Sequence, residues 1–151
     1  MRYLFLDDDD LRHELFAEWH SGDEVVHAHT VQEFIDIINN NPAFDVMSLD
    51  HDLNDFRPQY QSLDERGLRL NGQDVAEFLT KLPIGKRPKK IIIHSWNFEC
   101  ATFMKYILEA VYKDIEIKTF DMGLFMKRLD EWYVQGKKHP YHIYPAWTRA
   151  E

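Results

Sequence analysis

Residues 2–10 read RYLFLDDDD, an apolar and aromatic run that stops at four consecutive aspartates, Asp7 to Asp10. Arg2 to Leu6 carries no polar alternation, so it reads as a first strand buried on both faces, as a parallel sheet covered by helices requires. A buried strand that ends in carboxylates delivers negative charge to one edge of the sheet. Asp9 and Asp10 suit the N-cap of a following helix. Leu11 to about Trp19 supplies that helix, with Leu11, Leu15, Phe16 and Trp19 spaced to line one face.

The same alternation continues downstream. Val25, Val26 and Ala28 suggest a short strand. Thr30 with Glu33 three residues later forms a capping-box pattern ahead of Phe34, Ile35 and Ile38, and Asn39 to Pro42 stops that helix. Phe44 to Leu49 reads as a third strand ending at Asp50. Leu53 to Asn71 is polar, broken by Pro58 and Gly67, and reads as a long loop, a reasonable lid over the edge that carries Asp50. A helix from Gly72 to Leu82 and a basic turn, Pro83 to Lys90, precede Ile91, Ile92 and Ile93, read as the central strand. Asn97 caps a helix from Phe98 to Tyr112, Ile115 to Thr119 gives a fifth strand, and Gly123 to Val134 a fifth helix. Five strands alternating with five helices predict a flavodoxin-like, three-layer α/β sandwich with a parallel sheet in the order 2-1-3-4-5.

With 151 residues, 44% of them hydrophobic, the chain suits one domain with one core, spanning about 1–135. The tail from 136 to 151 holds His139, Tyr141, His142, Tyr144 and Trp147 and is expected to pack on the domain. A single cysteine, Cys100, and an N-terminus without a secretory pattern point to the cytoplasm. No apolar run reaches membrane-spanning length, so no membrane partner is expected. The net charge of -8 disfavours tight binding to a nucleic-acid backbone, and sequence-specific DNA binding is not expected.

Ligands of open parallel sheets bind at the carboxyl ends of the strands. Asp7 and Asp8 end strand one, Asp50-His51-Asp52 ends strand three, His94-Ser95-Trp96-Asn97 ends strand four, and Lys118-Thr119 ends strand five. Carboxylates gathered this closely need a cation, and oxygen ligands suit Mg²⁺ or Mn²⁺. Asp7, Asp8, Asp50 and Asp52 are the candidate metal ligands. Ser95, Asn97, Arg12 and Lys118 are candidates for holding a phosphate that the metal recruits.

Taken in order across roughly residues 1 to 130, FLDDD, LD, IIIHS and KTF resemble the receiver domains of two-component response regulators. That resemblance matches Asp7 and Asp8 to the acidic pair, Asp50 to the phosphoacceptor, Ser95 to the hydroxyl residue and Lys118 to the lysine. Asp52 falls where a receiver uses a backbone carbonyl. The long loop after Asp50, Thr119 in place of a proline, and the imidazoles of His51 and His94 depart from the pattern. LDDDxxR (Leu6 to Asp9 with Arg12), LDHDL (Leu49 to Leu53) and HSWN (His94 to Asn97) more closely resemble a receiver-like family named for cyclic-phosphate processing.

Membership of that family would imply a metal-dependent phosphoesterase or binder of cyclic-phosphate nucleotides or RNA ends. In that reading Asp50, His94 and His51 are catalytic, with a histidine transferring the proton to the leaving oxygen. The alternative is a non-catalytic signalling or protein-interaction module, phosphorylated on Asp50. Each candidate also has a plain structural role: Ser95 and Asn97 as helix caps, His94 as a buried hydrogen-bonded imidazole, Lys118 as a solvated strand residue. His13, His20, His27 and His29 read as surface residues.

Overall fold

Five strands pair in parallel in the order β2-β1-β3-β4-β5. The computed structural model describes residues 1–50, 70–95 and 97–121. Along the chain these give β1 (Arg2–Leu6), α1 (Asp10–Trp19), β2 (Glu24–Ala28), α2 (Val31–Asn40), β3 (Val46–Leu49), α3 (Gly72–Leu79), β4 (Lys90–Ser95), α4 (Phe98–Val111) and β5 (Glu116–Asp121). A 3-10 turn, Ile84–Lys86, precedes β4. The expected flavodoxin-like sheet is the one observed.

The two-residue period of a strand sends alternate side chains to opposite faces, and β1 fills two cores this way. Leu4 and Leu6 point to the side packed by Phe34 and Ile38 of α2, Val75 and Leu79 of α3, and Met104 and Leu108 of α4. Tyr3 and Phe5 point to the other side, against Phe16 of α1, Val46 and Ile92. Full burial of a side chain such as Phe16 contributes roughly 2–3 kcal/mol. Helices therefore cover both faces.

Side chains fix where the helices begin. Asp9 caps α1 by accepting the Arg12 N–H, and Asp10 is the first helical residue. The Thr30 hydroxyl accepts from the Glu33 N–H at 3.1 Å. Asn71 and Asp74 form a capping box at α3, and Asn97 caps α4 as expected.

Three expectations are corrected. Leu11 is 58% exposed, whereas His13 and His20 are buried at 6% and 7%. The inner face of α1 runs through His13, Phe16 and His20, and Leu11 lies about 200° around the helix from His13. Aromatic neighbours make room for the imidazoles: His13 meets the Phe5 ring edge-on at 4.8 Å and His20 lies 4.2 Å from Tyr3. The central strand is β3, and β4 lies between β3 and β5. Three isoleucines report burial on both faces, which any interior strand has. Finally, β5 continues to Asp121, so Thr119 is not its end.

No helix among the described residues is long and apolar enough to cross a membrane. Residues 53–69 of the expected loop, the expected helix Gly123 to Val134 and the tail from 136 lie outside the described residues.

Candidate metal centre

Asp7 and Asp50 each extend a strand by one residue, and the sheet's own ladder holds them. The Asp7 N–H donates to the Ala28 carbonyl at 3.1 Å and the Asp50 N–H to the Leu6 carbonyl at 3.0 Å. Both side chains are buried, at 0% and 1% exposure. Asp8 follows Asp7 into the same corner. One carboxylate oxygen from each of Asp7, Asp8 and Asp50 lies within 4.8 Å of the others.

The donor set fits a hard divalent cation. Two oxygens on opposite sides of a Mg²⁺ ion sit roughly 4.2 Å apart, and neighbouring ones closer, so the three carboxylates are gathered near the spacing that one ion requires. Such an ion would supply charge neutralisation and a coordination position for a phosphate oxygen.

Arg12, one turn into α1, reaches into this corner. Its Nε donates to Asp7 Oδ2 at 2.7 Å and its terminal nitrogen to Asp7 Oδ1 at 2.8 Å, a two-pronged pair. The guanidinium also lies 3.7 Å from Asp8, 3.6 Å from Asp9 and 3.4 Å from Asp50. Burial pushes the Asp7 carboxyl up, but the hydrogen bond from His94 and the charge of Arg12 outweigh it and hold Asp7 well below the usual carboxylate range. Burial likewise disfavours the charged guanidinium, and Asp7 more than reverses the effect.

His94 sits behind Asp7, 1% exposed, with its ring stacked on Phe5 at 5.0 Å. Its Nε2 is 2.9 Å from Asp7 Oδ2 and its Nδ1 2.8 Å from the Ser48 hydroxyl. An ionised carboxylate only accepts, so Nε2 carries the hydrogen. Burial lowers the His94 pKa against the pull of Asp7, and the neutral ring accepts at Nδ1 from Ser48. Both nitrogens are thus committed inside the protein.

A second group of imidazoles packs beside the site. His13 Nε2–H donates to the Asp7 backbone carbonyl at 2.7 Å, so its Nδ1 accepts from His27 Nδ1, also at 2.7 Å. His29 stacks on His13 at 4.0 Å and lies 3.4 Å from Asp10. Burial pushes the His13 pKa down to about 4.

Among the predicted site residues, the structure brings together Asp7, Asp8, Asp50, Arg12 and His94. Ser95 is buried at the end of β4, its hydroxyl oxygen accepting the Asn97 N–H at 3.0 Å. Asn97 is exposed and spends its side-chain oxygen on the Cys100 N–H, 3.1 Å away. Lys118 is placed differently from its expected position at a strand end. It lies mid-strand opposite Ile92, half exposed and 3.1 Å from Glu116, and Asp121 is the residue in register with Ser95. The register between β4 and β5 fixes this placement. His51 and Asp52 lie outside the described residues.

Two contributors escaped sequence reading. Ser48 is a polar residue inside a buried strand, a signal in itself, since such a hydroxyl needs a partner. His13 carried no such signal.

A family model for the cyclic-phosphate processing Receiver domain matches residues 2–110. The chain belongs to that family. No curated protein matches this cyclic-phosphate processing receiver domain in sequence. Solved structures share its fold at low identity. A response regulator from Burkholderia pseudomallei, crystallised with a phosphorylated aspartic acid, a calcium ion and citrate, is 15% identical with a TM-score of 0.53, over 89% of this chain and 71% of that one. A receiver domain from Methanospirillum hungatei is 22% identical with a TM-score of 0.52, over 89% and 94%. A structure described as adenylate cyclase from Rhodopirellula baltica is 16% identical with a TM-score of 0.54, over 95% and 89%.

Proposed function

We propose that this domain is a receiver-like signalling module that binds a divalent cation, Mg²⁺ or Mn²⁺, on Asp7, Asp8 and Asp50 and, through it, a phosphate group that changes a protein contact. The observation that carries this reading is the convergence of three carboxylate oxygens within 4.8 Å at the carboxyl edge of the sheet. Asp50 is the proposed phosphoacceptor. The response regulator from Burkholderia pseudomallei, with its phosphorylated aspartate and calcium ion, offers the same chemistry on the same fold. Ser95 and the N–H groups that open α4 lie at the same edge and are the proposed phosphate donors.

The burial of His94 weighs against the catalytic role expected of it. A general acid must reach the leaving oxygen, and both ring nitrogens of His94 face Asp7 and Ser48 instead. The family match nevertheless favours a second reading, hydrolysis of a cyclic phosphate on a nucleotide or an RNA end. In that reading a histidine other than His94 supplies the proton, with His51 the candidate.

Acetyl phosphate with Mg²⁺ separates the two. Transfer of its phosphoryl group to an Asp50 carboxylate oxygen releases acetate and leaves a phosphoryl mass increment on Asp50, expected in wild type and absent from Asp50→Asn. Turnover of a 2′,3′-cyclic nucleotide with Mn²⁺, without that increment, would establish the enzyme instead. Failure to bind either cation would remove the basis of both.

A further inference from the structure

A carboxylate offers about four lone-pair sites, and all those of Asp7 are taken. Oδ2 accepts from Arg12 Nε at 2.7 Å and from His94 at 2.9 Å. Oδ1 accepts from the Arg12 terminal nitrogen at 2.8 Å and from the Asp9 N–H at 2.8 Å. As it stands, Asp7 has no lone pair to give a metal. Of its four bonds, one comes from an imidazole sealed in the sheet and one from the backbone. Only the two from Arg12 come from a long side chain that can swing away.

Charge leads to the same residue. Asp7, Asp8 and Asp50 together carry three negative charges, and Arg12 returns one positive charge to that corner. A divalent ion placed among the same oxygens would meet the guanidinium at a few ångströms as a like charge, in surroundings that screen poorly. The two cations compete for one set of oxygens.

We infer that Arg12 is the resident counter-cation of this pocket, that a divalent ion binds by replacing it on Asp7 and Asp50, and that Arg12 thereby sets the metal affinity of the site. This rests on reading the acidic cluster as a cation site. It also changes the role of Arg12: the guanidinium becomes available to a phosphate only after the metal has displaced it. Cation and phosphate uptake are then coupled, because each favours the displaced position of one side chain.

The test is calorimetric titration of Mn²⁺ alone into wild type, Arg12→Lys and Arg12→Met, with circular dichroism to confirm folding. A charge-assisted hydrogen bond changes an equilibrium by roughly a factor of ten or more. Arg12→Met is therefore expected to bind Mn²⁺ at least about ten-fold tighter than wild type, with Arg12→Lys between them. Should Arg12→Met not fold, the wild-type protein decides the matter: the Arg12 Nε–H resonance, shielded from solvent exchange without metal, is expected to shift and lose that protection on addition of Mg²⁺. Equal or weaker Mn²⁺ binding by a folded Arg12→Met, or an Nε–H signal unmoved at saturating Mg²⁺, overturns the inference and leaves the metal site standing. No binding by wild type or variants overturns both.

Discussion

Lowering the pH from 7 to 5 is expected to weaken the metal-free fold through its buried imidazoles, and His13 sets the scale. It is 6% exposed, and burial pushes its pKa from 6.5 down to about 4. A group whose pKa is depressed in the folded state takes up its proton more readily in the unfolded chain. Its contribution is therefore complete above about 6.5 and is lost as the pH falls from there towards 4. The gap corresponds to about 3 kcal/mol in all, of which about 2 kcal/mol disappears between pH 7 and 5. Asp7, held well below the ordinary carboxylate range, does not titrate in that window. Urea unfolding of wild type and His13→Gln at the two pH values measures the effect, since a glutamine can still donate to the Asp7 carbonyl but does not titrate. Wild type should lose about 2 kcal/mol more than the variant on acidification. His94, also depressed by burial, is common to both proteins and cancels in the difference, whereas His27 bonds to His13, so its own titration is followed by NMR in both proteins and subtracted. Equal losses would refute the assignment of a buried, neutral His13.

Ser48→Ala strips the buried His94 Nδ1 of its donor and should lower stability by about 1–3 kcal/mol, read as a shift in the urea midpoint; an unchanged midpoint would deny that hydrogen bond a role. Asn97→Ala removes the cap of α4 and should cost about 1 kcal/mol. That loss should be the same with and without Mg²⁺, because the side-chain oxygen of Asn97 accepts from its own helix; a loss seen only with the metal would make it a ligand-site residue. Mg²⁺ at one hundred times its Kd should raise the unfolding free energy by about 2.7 kcal/mol, with EDTA reversing the gain and Asp50→Asn abolishing it. A melting curve indifferent to Mg²⁺ would count against the site.

The sequence was most informative where the information is local. The alternation of apolar runs with caps such as Thr30 and Asn97 foretold the parallel sheet, because strand and helix periods are read within a few residues. The ends of the runs also placed Asp7, Asp8 and Asp50 at one edge, since a parallel sheet brings all its carboxyl ends together. Boundaries were less legible. β5 runs two residues past Thr119, and its register with β4 sets Lys118 opposite Ile92.

What each charged group touches was settled only by the assembled chain. Arg12 carries the same letters whether it grips a phosphate or Asp7, and the choice depends on distances within a pocket built from β1, α1 and β3. His94 meets Asp7 across 87 positions of sequence, and Ser48 meets His94 across 46. No local period encodes such pairings. They follow from burial, which removes water as an alternative partner and obliges each polar group to bond with whatever the fold has placed beside it.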